Sequence, residues 1–213
     1  MNYGFFRVAS ISPSLSVADC DFNSKQIIEL VKKAQDKKIK LLVFPELSIC
    51  AYTCADLFAQ KMLQEECYLA LKNICAETKN CNVLFCVGLP VELDSERFNC
   101  AAFVYKGKVL ALIPKSFIPN YSEFYESRWF ASFSENTVKQ ISLCKGLEDI
   151  PFGTDIFIQD ENDSSIKISA ELCEDLWVPF SPSTRHALNG ATIIANLSAS
   201  NEVAGKAEYR RML

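Results

Sequence analysis

The chain is 213 residues long, 49% hydrophobic and 23% charged, which supplies one globular domain with a large core and excludes a disordered chain. A formal net charge of −4 gives no broad positive field, so nucleic acid and anionic membrane surfaces are excluded as electrostatic partners and small-molecule chemistry becomes the default. No signal peptide or membrane-spanning apolar run is visible, and ten cysteines in an unexported chain read as reduced thiols of a cytoplasmic protein.

Residues 4–11 and 39–45 are short, apolar and partly β-branched, which suits buried strands. Between them Asp21–Lys38 places Phe22, Ile27, Leu30, Val31 and Ala34 at helical spacing, so a parallel β-α-β unit is expected. Residues 59–79 predict a second amphipathic helix, with Met62, Leu63, Cys67, Leu69, Ala70, Ile74 and Cys75 inward, followed by a strand at Val83–Leu89. Phe98–Tyr105 and Lys108–Pro114 flank Lys106-Gly107, a turn signal that predicts an antiparallel hairpin and hence a mixed sheet. Residues 115–150 are aromatic-rich and irregular, the kind of long loop that carries function. Strands at Asp155–Gln159 and Ile166–Leu172 enclose a polar turn, and a helix at Pro182–Asn189, a strand at Ala191–Leu197 and the start of a helix at Ala204 complete the pattern. No repeat, low-complexity tract or linker interrupts this order. The chain stops within that last helical pattern, which reads as a truncated C-terminus.

Three segments set a reactive side chain at the C-terminal end of an expected strand, where open α/β folds place their ligand crevice. They are Val43-Phe44-Pro45-Glu46, Leu112-Ile113-Pro114-Lys115 and the run from Ser169 to Asp175 that contains Cys173. A thiol needs to lose its proton to attack an amide carbon, a nearby carboxylate can accept it, and a lysine ammonium favours the thiolate and can hold a developing oxyanion. Each residue also has an ordinary reading: a buried small hydrophobe for Cys173, a solvated strand end for Glu46, a loop lysine for Lys115. No Cys-x-x-Cys pair and one histidine argue against structural zinc, although Cys50 and Cys54 share a loop and Cys81 and Cys86 flank a strand. No glycine-rich phosphate loop is present.

With their flanks, the three segments resemble the nitrilase, or carbon-nitrogen hydrolase, superfamily over nearly the whole chain. More narrowly the sequence is similar to the glutaminase-domain branch found in glutamine-dependent NAD synthetases. That branch is carried by Tyr52-Thr53-Cys54-Ala55-Asp56-Leu57-Phe58 after Phe44-Pro45-Glu46-Leu47-Ser48, by Pro114-Lys115-Ser116-Phe117 through Phe130, by Cys173-Glu174-Asp175-Leu176-Trp177, and by Asn196–Glu202.

The resemblance implies an α-β-β-α sandwich with mixed sheets. It makes Glu46 the general base, Lys115 the oxyanion stabiliser, Cys173 the acyl-forming nucleophile and Glu126 an additional glutamate beside them. Tyr121, Ser200 and Lys206 match contacts to L-glutamine, Tyr52 lies toward the exit of ammonia, and Glu174 and Trp177 line the pocket. This domain then needs no cofactor. ATP and magnesium belong to a synthetase domain of the same polypeptide, absent from this chain, that makes NAD from deamido-NAD, and the family's habit implies a homo-oligomer. Two departures stand out: Cys50-Ala51 replaces the usual Thr-Gly before Tyr52, and Lys206 stands where arginine is frequent.

Three rivals accompany this reading. A stand-alone amidase or carbamoylase keeps the fold with another small amide. A cysteine-histidine hydrolase would use His186, which reads as part of a surface helix beside Arg185, and would leave Glu46 and Lys115 unexplained. A non-enzymatic scaffold would leave an intact triad without purpose.

Overall fold

The computed structural model describes residues 4–134 and 137–212. Among these residues the large sheet has seven strands in the order β1-β2-β3-β4-β5-β7-β6. They are β1 (Val8–Ser10), β2 (Leu41–Val43), β3 (Leu84–Leu93), β4 (Glu96–Tyr105), β5 (Lys108–Pro114), β6 (Lys139–Ile141) and β7 (Ile150–Phe152). A small sheet contains β8 (Ile158–Gln159), β9 (Lys167–Leu172) and β10 (Ile193–Leu197), with β9 central and parallel to β10.

Both expected helices form. α1 (Cys20–Asp36) starts where the Asp19 carboxylate accepts the amide of Phe22 at 2.9 Å, satisfying an end donor that the helix itself cannot pair. Its buried stripe runs through Cys20, Asn23, Ser24, Ile27, Ile28, Val31 and Ala34. Phe22, expected inside, is exposed, because it lies off that stripe. α2 (Lys61–Thr78) buries Leu63, Cys67, Ala70, Leu71 and Ile74, a 3.6-residue stripe that leaves Met62 and Leu69 outside, contrary to the sequence expectation. α1 and α2 pack on each other and on one face of the large sheet.

The opposite face of the large sheet meets the small one. Leu41, Leu84, Cys86, Ala101, Phe103, Ala111 and Ile113 interleave with Ile168, Ala170, Leu172, Ala195 and Leu197 to form the second core. On the outer side of the small sheet sits α3 (Pro182–Leu188), where the Glu171 carboxylate accepts the amide of Ser183 at 2.9 Å. The layers are therefore α-β-β-α with mixed sheets, as expected. A short exposed α4 (Lys206–Met212) follows β10.

Several expectations need correction. The strand expected at residues 4–11 is only Val8–Ser10, and that expected at Asp155–Gln159 is only Ile158–Gln159. The loop 115–150 holds a three-residue strand, β6, and ends where a second, β7, begins, and residues 52–59 form a 3₁₀ segment that contains Cys54. Cys86 lies inside β3 rather than beside it, since β3 runs to Leu93. His186 is fully buried rather than on a surface: its Nε2 bonds the Thr154 carbonyl at 2.9 Å, and burial lowers its affinity for a proton. No helix of the described residues is long and apolar enough to cross a membrane.

Candidate active site

β2 and β5 point the same way in the large sheet, because β2 pairs parallel with β3 and two antiparallel steps lead from β3 to β5. Their C-terminal ends therefore share one edge, and β9 of the small sheet ends there too. Glu46 follows β2, Lys115 follows β5 and Cys173 follows β9 directly. Two hydrogen-bonded stitches cross the sandwich at this edge. The amide of Ala199, just past β10, donates to Glu46 Oε2 at 3.1 Å. Asp175, just past Cys173, accepts the amides of Ser116 (3.1 Å) and Phe117 (2.8 Å) on Oδ1 and that of Leu172 (3.0 Å) on Oδ2. Burial pushes the Asp175 carboxyl up to about 7 even though the Leu172 and Phe117 amides oppose the shift.

The chain around Glu46 is pressed against β3. A Cβ at Gly88 would come within 2.1 Å of the Leu47 nitrogen, so only glycine admits the Glu46-Leu47 backbone here. The Gly88 amide donates to Ser48 Oγ at 3.1 Å, and the Gly88 carbonyl accepts the Ile49 amide at 3.0 Å. Leu47 takes φ 52° and Ala51 takes φ 69° with ψ 154°, a region that glycine enters without strain. The unusual Cys50-Ala51 therefore places a Cβ where a glycine would fit the backbone better.

Lys115 Nζ lies 2.7 Å from Glu46 Oε1 and 3.1 and 2.8 Å from the two oxygens of Glu126, with all three side chains 0–1% exposed. Asn99 Nδ2 donates to Glu46 Oε1 at 2.6 Å, and the Tyr52 hydroxyl donates to Glu126 Oε1 at 2.5 Å. Burial opposes the Lys115 charge, but Glu46 and Glu126 outweigh it and hold the ammonium above its ordinary range. Burial, then the Glu46 charge, raises Glu126, and burial followed by Glu126 raises Tyr52. The bidentate Asp56–Arg128 pair (2.6 and 2.9 Å) ties the 3₁₀ segment bearing Tyr52 to the turn bearing Glu126.

Cys173 opens a 3₁₀ turn at φ 43°, a left-handed backbone for a side-chain-bearing residue, which swings its thiol off the end of β9. Burial first, and the Glu46 charge second, push the thiol up to about 12, while Lys115 and a hydrogen bond with Ser198 lower it only in part. Lys115 favours the thiolate, as expected, but burial and the Glu46 charge outweigh it. Two carboxylates face one ammonium, and the thiol stays neutral until its proton has somewhere to go.

Above Cys173 opens a cavity of about 660 Å³, lined among others by Tyr121, Glu174, Trp177, Ser200 and Lys206. The Tyr121 hydroxyl donates to Glu174 Oε2 at 2.9 Å, and burial pushes Tyr121 up to about 12. Lys206 Nζ donates to Ser200 Oγ at 2.5 Å and lies 5.4 Å from the centre of the Trp177 ring, which stacks on Tyr209. Of the ten residues singled out from sequence, six line this cavity and the other four, Glu46, Lys115, Glu126 and Tyr52, form the buried hydrogen-bonded cluster. Tyr52 and Glu126 do not line the cavity and sit with Lys115 beneath it. His186 takes no part in this cluster; it packs against Phe157 behind β9. Asn99, Asp175, Ser198 and Ala199 received no role from sequence. The last three lie inside the quoted motifs, whereas Asn99 carries no local signal.

A family model described as carbon-nitrogen hydrolase matches residues 7–213. The glutamine-dependent NAD(+) synthetase of Mycobacterium tuberculosis is 33% identical over 211 residues, covering 99% of this chain and 31% of that protein. The chain spans about a third of the length of the curated relatives it matches. The crystal structure of a glutamine-dependent NAD(+) synthetase from Cytophaga hutchinsonii superposes with a TM-score of 0.83 at 27% identity, over 97% of this chain and 32% of that one. An amidase from Nesterenkonia sp. shares the fold, with a TM-score of 0.73 at 18% identity over 95% of this chain and 68% of that one.

Proposed function

We infer, from the premise that this chain belongs to the carbon-nitrogen hydrolase family, that it hydrolyses the side-chain amide of L-glutamine to glutamate and ammonia. The observation that carries the reading is the buried Glu46-Lys115-Glu126 cluster beneath a cavity whose floor is Cys173. Names of relatives support glutamine as the amide. So does the rim, where Lys206 offers a cation for an α-carboxylate and Glu174 an anion for an α-ammonium.

The thiol proton passes to Glu46 as sulfur attacks the amide carbon, because a thiol held near 12 has almost no thiolate to offer at neutral pH. Negative charge moves to the amide oxygen, and the Lys115 ammonium, already desolvated, stabilises it. Glu46 returns the proton to the amide nitrogen, the C–N bond breaks and ammonia leaves. A γ-glutamyl thioester on Cys173 remains. Water then attacks that carbonyl with Glu46 again taking the proton, and collapse releases glutamate and the thiol. Glu126 keeps Lys115 charged and in place throughout.

The ammonia serves a synthetase domain of the same polypeptide, which uses ATP and magnesium to convert deamido-NAD to NAD, and the domain works as part of a homo-oligomer in the cytoplasm. The test is ammonia release from glutamine by purified protein and by the Cys173→Ala variant, with a diazoketone analogue of glutamine as covalent probe. The wild type releases ammonia and is labelled on Cys173, and the variant does neither. An alanine variant with undiminished turnover overturns the assignment.

A further inference from the structure

Asn99 lies deep inside the molecule on β4, fully buried, and touches both charged partners of the cluster from one backbone position. Its carbonyl accepts the Lys115 amide at 2.8 Å, fixing where that side chain begins. Its Nδ2 donates to Glu46 Oε1 at 2.6 Å, and the same oxygen accepts Lys115 Nζ at 2.7 Å. Glu46 Oε2 receives a single donor among the described residues, the Ala199 amide at 3.1 Å. The buried Asn99 Oδ1 meets no donor among the described residues, so its amide is oriented by Glu46 rather than by its own pairing needs.

We propose that Asn99 is the positioning residue that saturates Glu46 Oε1 and thereby makes Oε2 the oxygen that carries the proton between thiol and leaving nitrogen. A carboxylate oxygen has room for two good donors in its plane, and Oε1 already has them. Oε2 accepts only the Ala199 amide, one residue past Ser198, whose side chain bonds the Cys173 thiol, so the acceptor capacity left on Glu46 lies on the oxygen bound to that segment. The asparagine also stabilises the anion that must wait for the thiol proton, since a donor to a carboxylate favours its charged form. Glutamine or aspartate at this position would not do the same: one reaches too far, the other puts a like charge beside Glu46.

The groups that face Glu46 are Lys115 and, through it, Glu126, together with Cys173 and Tyr52. None of them changes in Asn99→Leu, which keeps the shape, removes the donor and removes the unpartnered carbonyl. The inference rests on the glutaminase reading only for the choice of substrate. It is therefore measured twice: by glutamine hydrolysis, and by mass spectrometry of Cys173 acylated by p-nitrophenyl acetate, an ester that needs proton transfer to Glu46 but no recognition of glutamine. Asn99→Leu is expected to melt within a few degrees of the wild type and to keep KM for glutamine. Its kcat falls about tenfold to a hundredfold, the loss of one hydrogen bond to a charged group. The acid limb of kcat/KM, and that of ester acylation, moves to higher pH, because a carboxylate deprived of a donor holds its proton more tightly. Asn99→Asp moves both limbs the same way and further. An unshifted limb in both assays, or a loss of turnover that only tracks a fall in melting temperature, overturns the proposal. Wild-type protein that is acylated by the ester but releases no ammonia from glutamine overturns the substrate assignment instead, and the ester limb still decides the role of Asn99.

Discussion

The site has two regions built on opposite principles. The lower one, Glu46, Lys115, Glu126 and Asn99, is buried, and each charge is held by several short bonds from different segments of the chain. The upper one, Tyr121, Glu174, Trp177, Ser200 and Lys206, lines an open cavity and is held largely by single side-chain contacts. In the first, desolvation makes every electrostatic interaction large and every orphan costly. In the second, solvent screens what the charges do. The lower region should therefore set kcat and stability, and the upper one KM.

The sharpest way to break that division is Lys115→Met. It removes the ammonium that two buried carboxylates share, and breaking such a pair costs about 3–5 kcal/mol of folding free energy. Urea unfolding near neutral pH should show that loss, and it should shrink in acid, where Glu126, raised by burial and by the Glu46 charge, takes up a proton and the repulsion ends. A variant as stable as the wild type at neutral pH would mean that the cluster is wetter than its burial indicates.

Tyr52→Phe comes next. It removes the hydroxyl that donates to Glu126 Oε1 at 2.5 Å and leaves the ring. Glu126 then grips Lys115 with one oxygen less well anchored, and kcat should fall about tenfold, the worth of a hydrogen bond to a charged group. KM should not change, since Tyr52 does not line the cavity. A rise in KM with constant kcat would move Tyr52 to the upper region.

What could be read from sequence follows the same line. β5 forms at Lys108–Pro114 as expected, because a continuous apolar run ends abruptly at Lys115 and the Lys106-Gly107 turn, with φ 46° and 78°, fixes where the hairpin begins. Glu46 and Cys173 were visible for a related reason, each a reactive side chain just past the C-terminal end of an expected strand. Asn99 was not. Continued unbroken, the register set by the turn would put Phe98 opposite Lys115. A bulge between Phe103 and Val104 shifts the ladder by one residue, brings Asn99 to that place, and has no mark in the sequence. β6 and β7 were missed because three residues are too few to show a period. The depth of His186 was missed because its partner, the Thr154 carbonyl, comes from 32 residues away.

The smallest effect is expected at the rim, from Lys206→Ala. The Lys206 ammonium holds Ser200 Oγ at 2.5 Å and Asn201 Oδ1, and it stands 5.4 Å over the Trp177 ring. It is half-buried and beside open solvent, so its attraction for a substrate carboxylate is screened and modest. KM for glutamine should rise by roughly twofold to fivefold, about the worth of one partly exposed ion pair, with kcat within about twofold. Added salt provides the independent check. In the wild type, KM should climb as ionic strength increases, because the Debye length shrinks below the reach of the lysine. In the variant, KM should already be high and nearly flat, since the charge that salt would screen is gone. If kcat falls instead while KM and its salt response stay as they were, Lys206 acts on the reacting amide, and the separation of a rate-setting floor from an affinity-setting rim fails at the residue where it is easiest to test.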